Sequence, residues 1–304
     1  MARKLRIQYP GAIYHVINRG NYRQDVFATA GAAHAFVVTL GEAAELFRWR
    51  VHAYVVMRNH FHLALETPEP NLVAGMHWLQ STFATRFNRL RRENGHLFQG
   101  RYQAILLENA SALVRVVNYI HLNPVRASVV PVAQVAMFRW SSLSAFGKAD
   151  RPAWLQANAV LIELDLPATK AGWLAYTNYL MTLAGDPTAQ ERQEFAQLSK
   201  GWAIGSDGWR ETLAKEHARL AAAGDIPATE VRELNAAVYQ QLLDTLLRDL
   251  GKTTADLSAA PKSAPWKIAA ARTLRAKVNA PHAWIARALH MGRPSSVRVY
   301  LARM

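Results

Sequence analysis

Apolar and polar positions alternate with two different periods along the first 130 residues. Period-two alternation marks residues 13–19 (IYHVINR) as a strand closed by a Gly20-Asn21 turn. Phe36, Leu40, Ala43, Ala44 and Phe47 fall on one face of a helix over residues 32–47. Residues 50–57 (RVHAYVVM) and 60–66 (HFHLALE) read as two strands joined at Arg58-Asn59, which predicts a hairpin. Asn71 stands where an N-cap is needed for a long helix reaching about Arg92, with Leu72, Met76, Leu79, Phe83 and Phe87 as its apolar stripe. Residues 97–107 contain a fourth strand, and residues 111–126 a third helix stopped near Asn123-Pro124. The order β-α-β-β-α-β plus one more helix predicts an α+β domain, a ferredoxin-like open sheet with helices packed mainly on one face.

After about residue 145 the pattern turns mainly helical, with turn signals at Gly185-Asp186-Pro187 and Gly224-Asp225-Ile226-Pro227. Residues 253–264, rich in Thr, Ala, Ser, Lys and Pro, read as a linker. Beyond it, a helix runs to Val278, Pro281 opens a second through Ala288-Leu289, and Met291-Gly292-Arg293 makes a turn before Pro294 starts a last one. That is the layout of a helix-turn-helix, whose second helix enters the major groove of duplex DNA. The organisation expected is a catalytic domain over 1–145, a helical accessory region over 146–252, the linker, and a DNA-binding segment over 265–304.

Composition fits this picture: 51% hydrophobic and 19% charged residues are the profile of a folded protein. No apolar run approaches the roughly 18 residues of a membrane span, so no membrane partner is expected. The charged start, Met-Ala-Arg-Lys-Leu-Arg, leads into no apolar stretch, so a secretory signal is not expected and the cytoplasm is. The net charge of +14 is unevenly placed. Residues 1–150 carry 17 basic and 8 acidic side chains, residues 151–260 carry 10 and 14, and residues 261–304 carry 9 and none. Two cationic segments around an acidic middle suit a polyanion, because each neutralised phosphate releases counterions. In the last segment Ser295, Ser296 and Arg298, at the exposed start of the final helix, are the candidate readers of duplex DNA.

Chemistry concentrates in two places. On a strand over 60–66, His60 and His62 share a face about 6.5–7 Å apart at Cα, while Phe61, Leu63 and Leu65 point to the other. Two imidazoles on one face can hold a metal ion from the same side, although His-X-His also arises on any solvent-facing strand. Tyr119 and Asn123 are one helical turn apart and share a face, whereas His121 points roughly opposite. A phenol there can attack an electrophile and an amide can donate a ligand oxygen. Packing of Tyr119 and capping by Asn123 before Pro124 would serve the same positions. With no cysteine in the chain, thiolate chemistry and disulfides are excluded.

These residues lie within four blocks: residues 14–24 (YHVINRGNYRQ), 53–63 (AYVVMRNHFHL), 95–104 (GHLFQGRYQA) and 119–127 (YIHLNPVRA). In this order and spacing they closely resemble the signature blocks of the REP-associated tyrosine transposases, in the single-tyrosine HUH superfamily. A weaker similarity continues at 201–213 (GWAIGSDGWRETL). The resemblance implies that His60 and His62, with Asn123 as third ligand, bind Mg2+ or Mn2+. It further implies that Tyr119 attacks a phosphate of single-stranded or hairpin repeat DNA, leaving a 5′-phosphotyrosine and a free 3′-hydroxyl. Arg19, Arg23, Arg101 and Arg126, in or next to the blocks, are then candidate phosphate contacts, and Tyr22 a candidate base-stacking group. Arg58 stands where the family pattern has proline. A nucleoid-associated protein, of open oligomeric state, is the expectation. The alternative is a DNA-binding regulator on the same fold with little or no catalysis.

Overall fold

The computed structural model describes residues 7–222, 228–278 and 280–302, so the turn expected at residues 224–227 lies outside the described residues. The chain divides into two compact units, with the boundary between Trp209 and Arg210.

In the first unit the secondary structure follows the two periods of the sequence. Strand β1 (Ala12–Arg19), helix α1 (Ala30–Leu46), the hairpin β2 (Arg50–Val56) and β3 (His60–Thr67), helix α2 (Leu72–Arg91), strand β4 (Gln103–Leu107) and helix α3 (Ala110–Arg126) come in the predicted order. The strands lie in the order β2-β3-β1-β4, all antiparallel neighbours, which is the ferredoxin-like arrangement. Register decides the two faces. Phe61 pairs with Asn18, while His62 pairs with Ile17 and His60 with Arg19, so alternation sends His15, Ile17, Arg19, His60 and His62 to one side. The opposite face is filled by aromatic rings: Phe61 meets Phe36 of α1 at 4.6 Å between centroids, Phe36 meets Phe83 of α2 at 5.3 Å, and Phe27 and Phe98 complete the cluster. Phe98 is thus a core residue. Helices α1 and α2 cover this aromatic face, and α3 lies across β2 and β3 on the histidine face.

Local details differ from the sequence reading in instructive ways. Asn71 occupies the N-cap position of α2 without capping it. Its side chain instead accepts from Trp49 Nε1 at 2.9 Å and donates to the Phe47 carbonyl at 2.9 Å, seating a fully buried indole. Pro124 does not stop α3, which continues to Arg126. In the last turn a proline removes one backbone hydrogen bond, and the Ala127 N–H still reaches the Asn123 carbonyl at 2.9 Å.

The expected boundary after residue 145 is not where the chain divides. Short helices α4 (Leu143–Phe146), α5 (Asn158–Glu163), α6 (Lys170–Ala184) and α7 (Pro187–Arg192) remain in the first unit, followed by strand β5 (Ala203–Ile204). The turn at Gly185-Asp186-Pro187 forms as read: Asp186 caps α7 by accepting from the Ala189 N–H at 2.9 Å, with Pro187 in its first turn. β5 pairs in parallel with β4 and makes the sheet five-stranded, because Leu106 and Glu108 donate their N–H groups to the Trp202 and Ile204 carbonyls at 2.9 and 3.0 Å. The segment from 193 to 204 therefore belongs to the sheet and its covering helix.

Helix α8 (Asp207–Ala222) spans the division, and the second unit continues with α9 (Ala228–Asp249), α10 (Thr254–Ala259), α11 (Pro265–Val278), α12 (His282–Ala288) and α13 (Pro294–Ala302). The stretch read as a linker holds α10. Thr253 and Asp256 form a reciprocal capping box, and Leu257 is buried in the core with Leu243, Leu274 and Ile285. Lys267 is fully buried and donates to the Leu257 and Ala260 carbonyls at 2.8 and 3.0 Å, closing the C-terminal end of α10. One of the nine basic residues after position 260 thus serves the fold. Among the described residues no helix is long and apolar enough to cross a membrane.

Gly75 in α2 faces the buried Trp49 ring so closely that a β-carbon there would sit 2.1 Å from Cζ2. Gly75→Ala is expected to lower stability by about 1–3 kcal/mol, the usual cost of overpacking, measured by urea denaturation. An unchanged midpoint would show that the indole is not fixed by Asn71.

Candidate active site

The histidine face of the sheet and the inner face of α3 enclose one cluster. Tyr119 lies against His62 at 5.5 Å and against His15 at 5.8 Å between ring centroids. His60 and His62 are 5.2 Å apart between centroids, at 82°. Asn123, one turn beyond Tyr119, is buried, and its side chain lies near enough to His60 to raise that ring's pKa. The spacing in the sequence dictates this convergence: two positions apart on a strand, four apart on a helix, and the helix packed over the strand. His60, His62, Tyr119 and Asn123 are therefore brought together.

Charge surrounds them unevenly. Arg19 and Arg126 are exposed, and both bear electrostatically on His62. The Arg126 guanidinium lies 4.9 Å from the Tyr119 ring centroid and 5.4 Å from that of Phe195, a cation–π contact with both rings at the edge of the cluster. Arg23 is exposed in the loop after β1, where Asn59 donates to its carbonyl at 3.4 Å. Arg101 is exposed just before β4. Tyr22 is 87% exposed with a left-handed φ of 50°. Arg58, at the β2–β3 turn, pairs with Asp25 at 2.7 Å, so its charge is engaged and the hairpin is formed without the proline. In the second unit Ser295 and Arg298 are exposed and Ser296 half-buried on α13.

Burial keeps the cluster's imidazoles neutral. Desolvation lowers the pKa of His62 well below its ordinary value, assisted by the neighbouring His15, His60, Arg19 and Arg126. Desolvation also lowers His60, with Arg19 adding to it and the Asn123 side chain opposing it. A neutral imidazole is the form that binds a metal ion. His60 Nδ1 lies 2.8 Å from Asn59 Oδ1, an acceptor, so its proton sits on Nδ1 and its lone pair on Nε2. Two such nitrogens and a carboxamide fit a divalent ion, and this donor set suits Mn2+ better than Mg2+. Among the described residues no group of three His, Cys, Asp or Glu forms a metal cluster. An ion held here would therefore complete its shell with water or substrate oxygens.

His15 is the site residue that the sequence reading passed over. It is completely buried and hydrogen-bonded edge to edge with His62, Nε2 to Nδ1 at 2.9 Å, and its pKa is pushed down to about 4 by burial, a hydrogen bond to the Leu198 carbonyl partly opposing this. The signal was present: His15 has the same strand parity as Arg19, and β1 lies beside β3. Another buried imidazole, His121, has its hydrogen-bond partners elsewhere. It bonds to Tyr176 and Ser142 at 2.9 Å each, tying α3 to α6 and to the start of α4, and burial pushes its pKa down to about 3.

Comparison with known proteins bears on the same region. Residues 8–123 match the family described as "Transposase IS200 like". A solved structure described as a REP-associated tyrosine transposase bound to a REP hairpin is similar over 53% of this chain and 93% of its own, with 18% identity and a TM-score of 0.42. No curated protein matches the chain.

The buried histidines make stability depend on pH. His15 and His121 have folded-state values of about 4 and about 3, against roughly 6.5 in an unfolded chain. Between those values the unfolded chain binds more protons, so stability is complete above about pH 6.5 and falls as pH drops. In the metal-free protein, denaturation at pH 5 is expected to give at least ~2 kcal/mol less stability than at pH 7. Equal stabilities would mean that these rings are solvated.

Proposed function

We propose that this chain, whose residues 8–123 match the IS200-like transposase family, nicks and rejoins single-stranded or hairpin repeat DNA through a covalent tyrosine intermediate. The convergence of Tyr119 with His60, His62 and Asn123 in one cluster carries the reading. In this reading His60, His62 and Asn123 hold Mg2+ or Mn2+, which when bound supplies polarisation of the scissile phosphate's non-bridging oxygens. Arg19 and Arg126, exposed beside the cluster, anchor the DNA backbone. Arg23 and Arg101 extend this cationic margin, and Tyr22 offers its exposed ring to an unpaired base.

Tyr119 then attacks phosphorus. A phenol-oxygen–phosphorus bond forms, the bond from phosphorus to the 3′-oxygen breaks, the phenol loses its proton and the leaving oxygen gains one. The product is a 5′-phosphotyrosine and a free 3′-hydroxyl, and reversal with a second 3′-hydroxyl rejoins the strand. Packing of the phenol between His62, His15, Phe195 and the Arg126 guanidinium restricts its orientation, so little freedom is lost on reaching the attacking geometry. The acid-free end of the chain supplies duplex affinity through α13, and the protein works in the cytoplasm at the nucleoid.

Two outcomes test this. Incubating the protein with labelled hairpin DNA and Mn2+, followed by denaturing electrophoresis, is expected to give a covalent protein–DNA adduct that Tyr119→Phe abolishes. Cleavage surviving in Tyr119→Phe would indicate metal-dependent hydrolysis instead, and binding without cleavage by the unmodified chain would indicate a regulator. For the second unit, Arg298→Ala is expected to reduce the slope of log affinity for duplex DNA against log salt by about 1. An unchanged slope removes α13 from the interface.

A further inference from the structure

We propose that His15 is a positioning residue for His62, the middle member of a relay that begins at the Leu198 backbone carbonyl and ends with a lone pair on His62 Nε2. The inference rests on the reading of His62 as a metal ligand and deepens it.

Proton counting along three contacts carries the argument. His15 Nδ1 lies 2.7 Å from the Leu198 carbonyl oxygen, which can only accept, so His15 Nδ1 carries a proton. His15 is fully buried, and the charges that bear on its partner are cationic (Arg19 and Arg126), which disfavours an imidazolium. A neutral ring with its proton on Nδ1 has its lone pair on Nε2. That nitrogen lies 2.9 Å from His62 Nδ1, which must therefore be the donor. The proton of His62 is held on Nδ1, and its Nε2 is left as an acceptor for an ion. Without this partner, the intrinsic preference of a neutral histidine places the proton on Nε2, the nitrogen that an ion would need. The two rings lie edge to edge, their planes 28° apart and their centroids 5.1 Å apart, so the bond fixes the plane of His62 as well as its tautomer.

The relay also assigns work to a segment beyond the family match. Leu198 is fully buried, three residues after Phe195, which packs edge-on to Tyr119 at 5.7 Å. The neighbouring Glu194 pairs with Arg115 at 2.6 Å and Gln193 accepts from Asn118 at 3.2 Å, both on α3. The chain after α7 is thus clamped to the catalytic helix and delivers one carbonyl to the back of the histidine pair. Residues 8–123 contain both imidazoles of the relay but not the group that orients them.

The test uses the full chain labelled with 15N-histidine and free of metal. Long-range 1H–15N spectra at pH 7 are expected to show His62 protonated at Nδ1 and bare at Nε2; a proton on Nε2 overturns the relay without any variant. His15→Phe, which keeps an apolar ring but no acceptor, is expected to move the His62 proton to Nε2. It should also weaken Mn2+ binding, read by calorimetry, about 10- to 100-fold, the usual cost of losing a ligand's orienting partner. His15→Gln, whose amide oxygen can accept from Nδ1, should recover part of that loss. Unchanged tautomer and affinity in His15→Phe overturn the proposal. A wild-type chain with the expected tautomer but no Mn2+ binding supports the relay and overturns the metal-ligand reading instead.

Discussion

The central position of β1, hydrogen-bonded to β3 on one side and β4 on the other, is the constraint on which the rest of the molecule depends. Register across β1 and β3 decides which side chains enter the aromatic core and which face α3. A slip of one residue would exchange them, placing His60 and His62 among phenylalanines and Phe61 beneath Tyr119. The cluster of Phe27, Phe36, Phe61, Phe83 and Phe98 makes that slip costly, since each large ring would lose its burial. Core and site are therefore two faces of one decision. The hydrophobic alternation that folds the sheet also aims the imidazoles.

The opposite wall depends on α3, and α3 is held by polar groups as much as by apolar ones. His121 bridges Tyr176 and Ser142, Tyr176 donates to Asn118 at 3.1 Å, and Asn118 donates to Gln193. A buried network of this kind, with its partners satisfied, specifies one placement of the helix where apolar packing alone would tolerate several. Tyr119 and Asn123 are carried to the histidines by that placement. The segments from α6 to β5 thus complete the first unit, and a chain ending after α3 would lose the partners of His15, Arg115 and Asn118.

What could be read from the sequence was local and periodic. Alternation separated His60 and His62 from Phe61, and the four-residue spacing paired Tyr119 with Asn123. Non-local partners escaped. His15 stood in a strand with the correct parity, but its importance lies in a carbonyl 183 residues away, to which no local pattern points. The supposed linker at 253–264 concealed a capping box of Thr253 and Asp256 because its composition resembled a loop. The burial of Lys267 was hidden for a different reason: a lysine in a basic segment reads as surface until the carbonyls that it closes are in place.

The central claim is that His60 and His62 address one ion beside Tyr119. Pulsed electron paramagnetic resonance of Mn2+ bound to the full chain tests it most directly. Nitrogen couplings from two imidazoles should appear, with His60→Ala and His62→Ala each removing one. A spectrum without imidazole coupling, or one that neither substitution alters, would contradict the account.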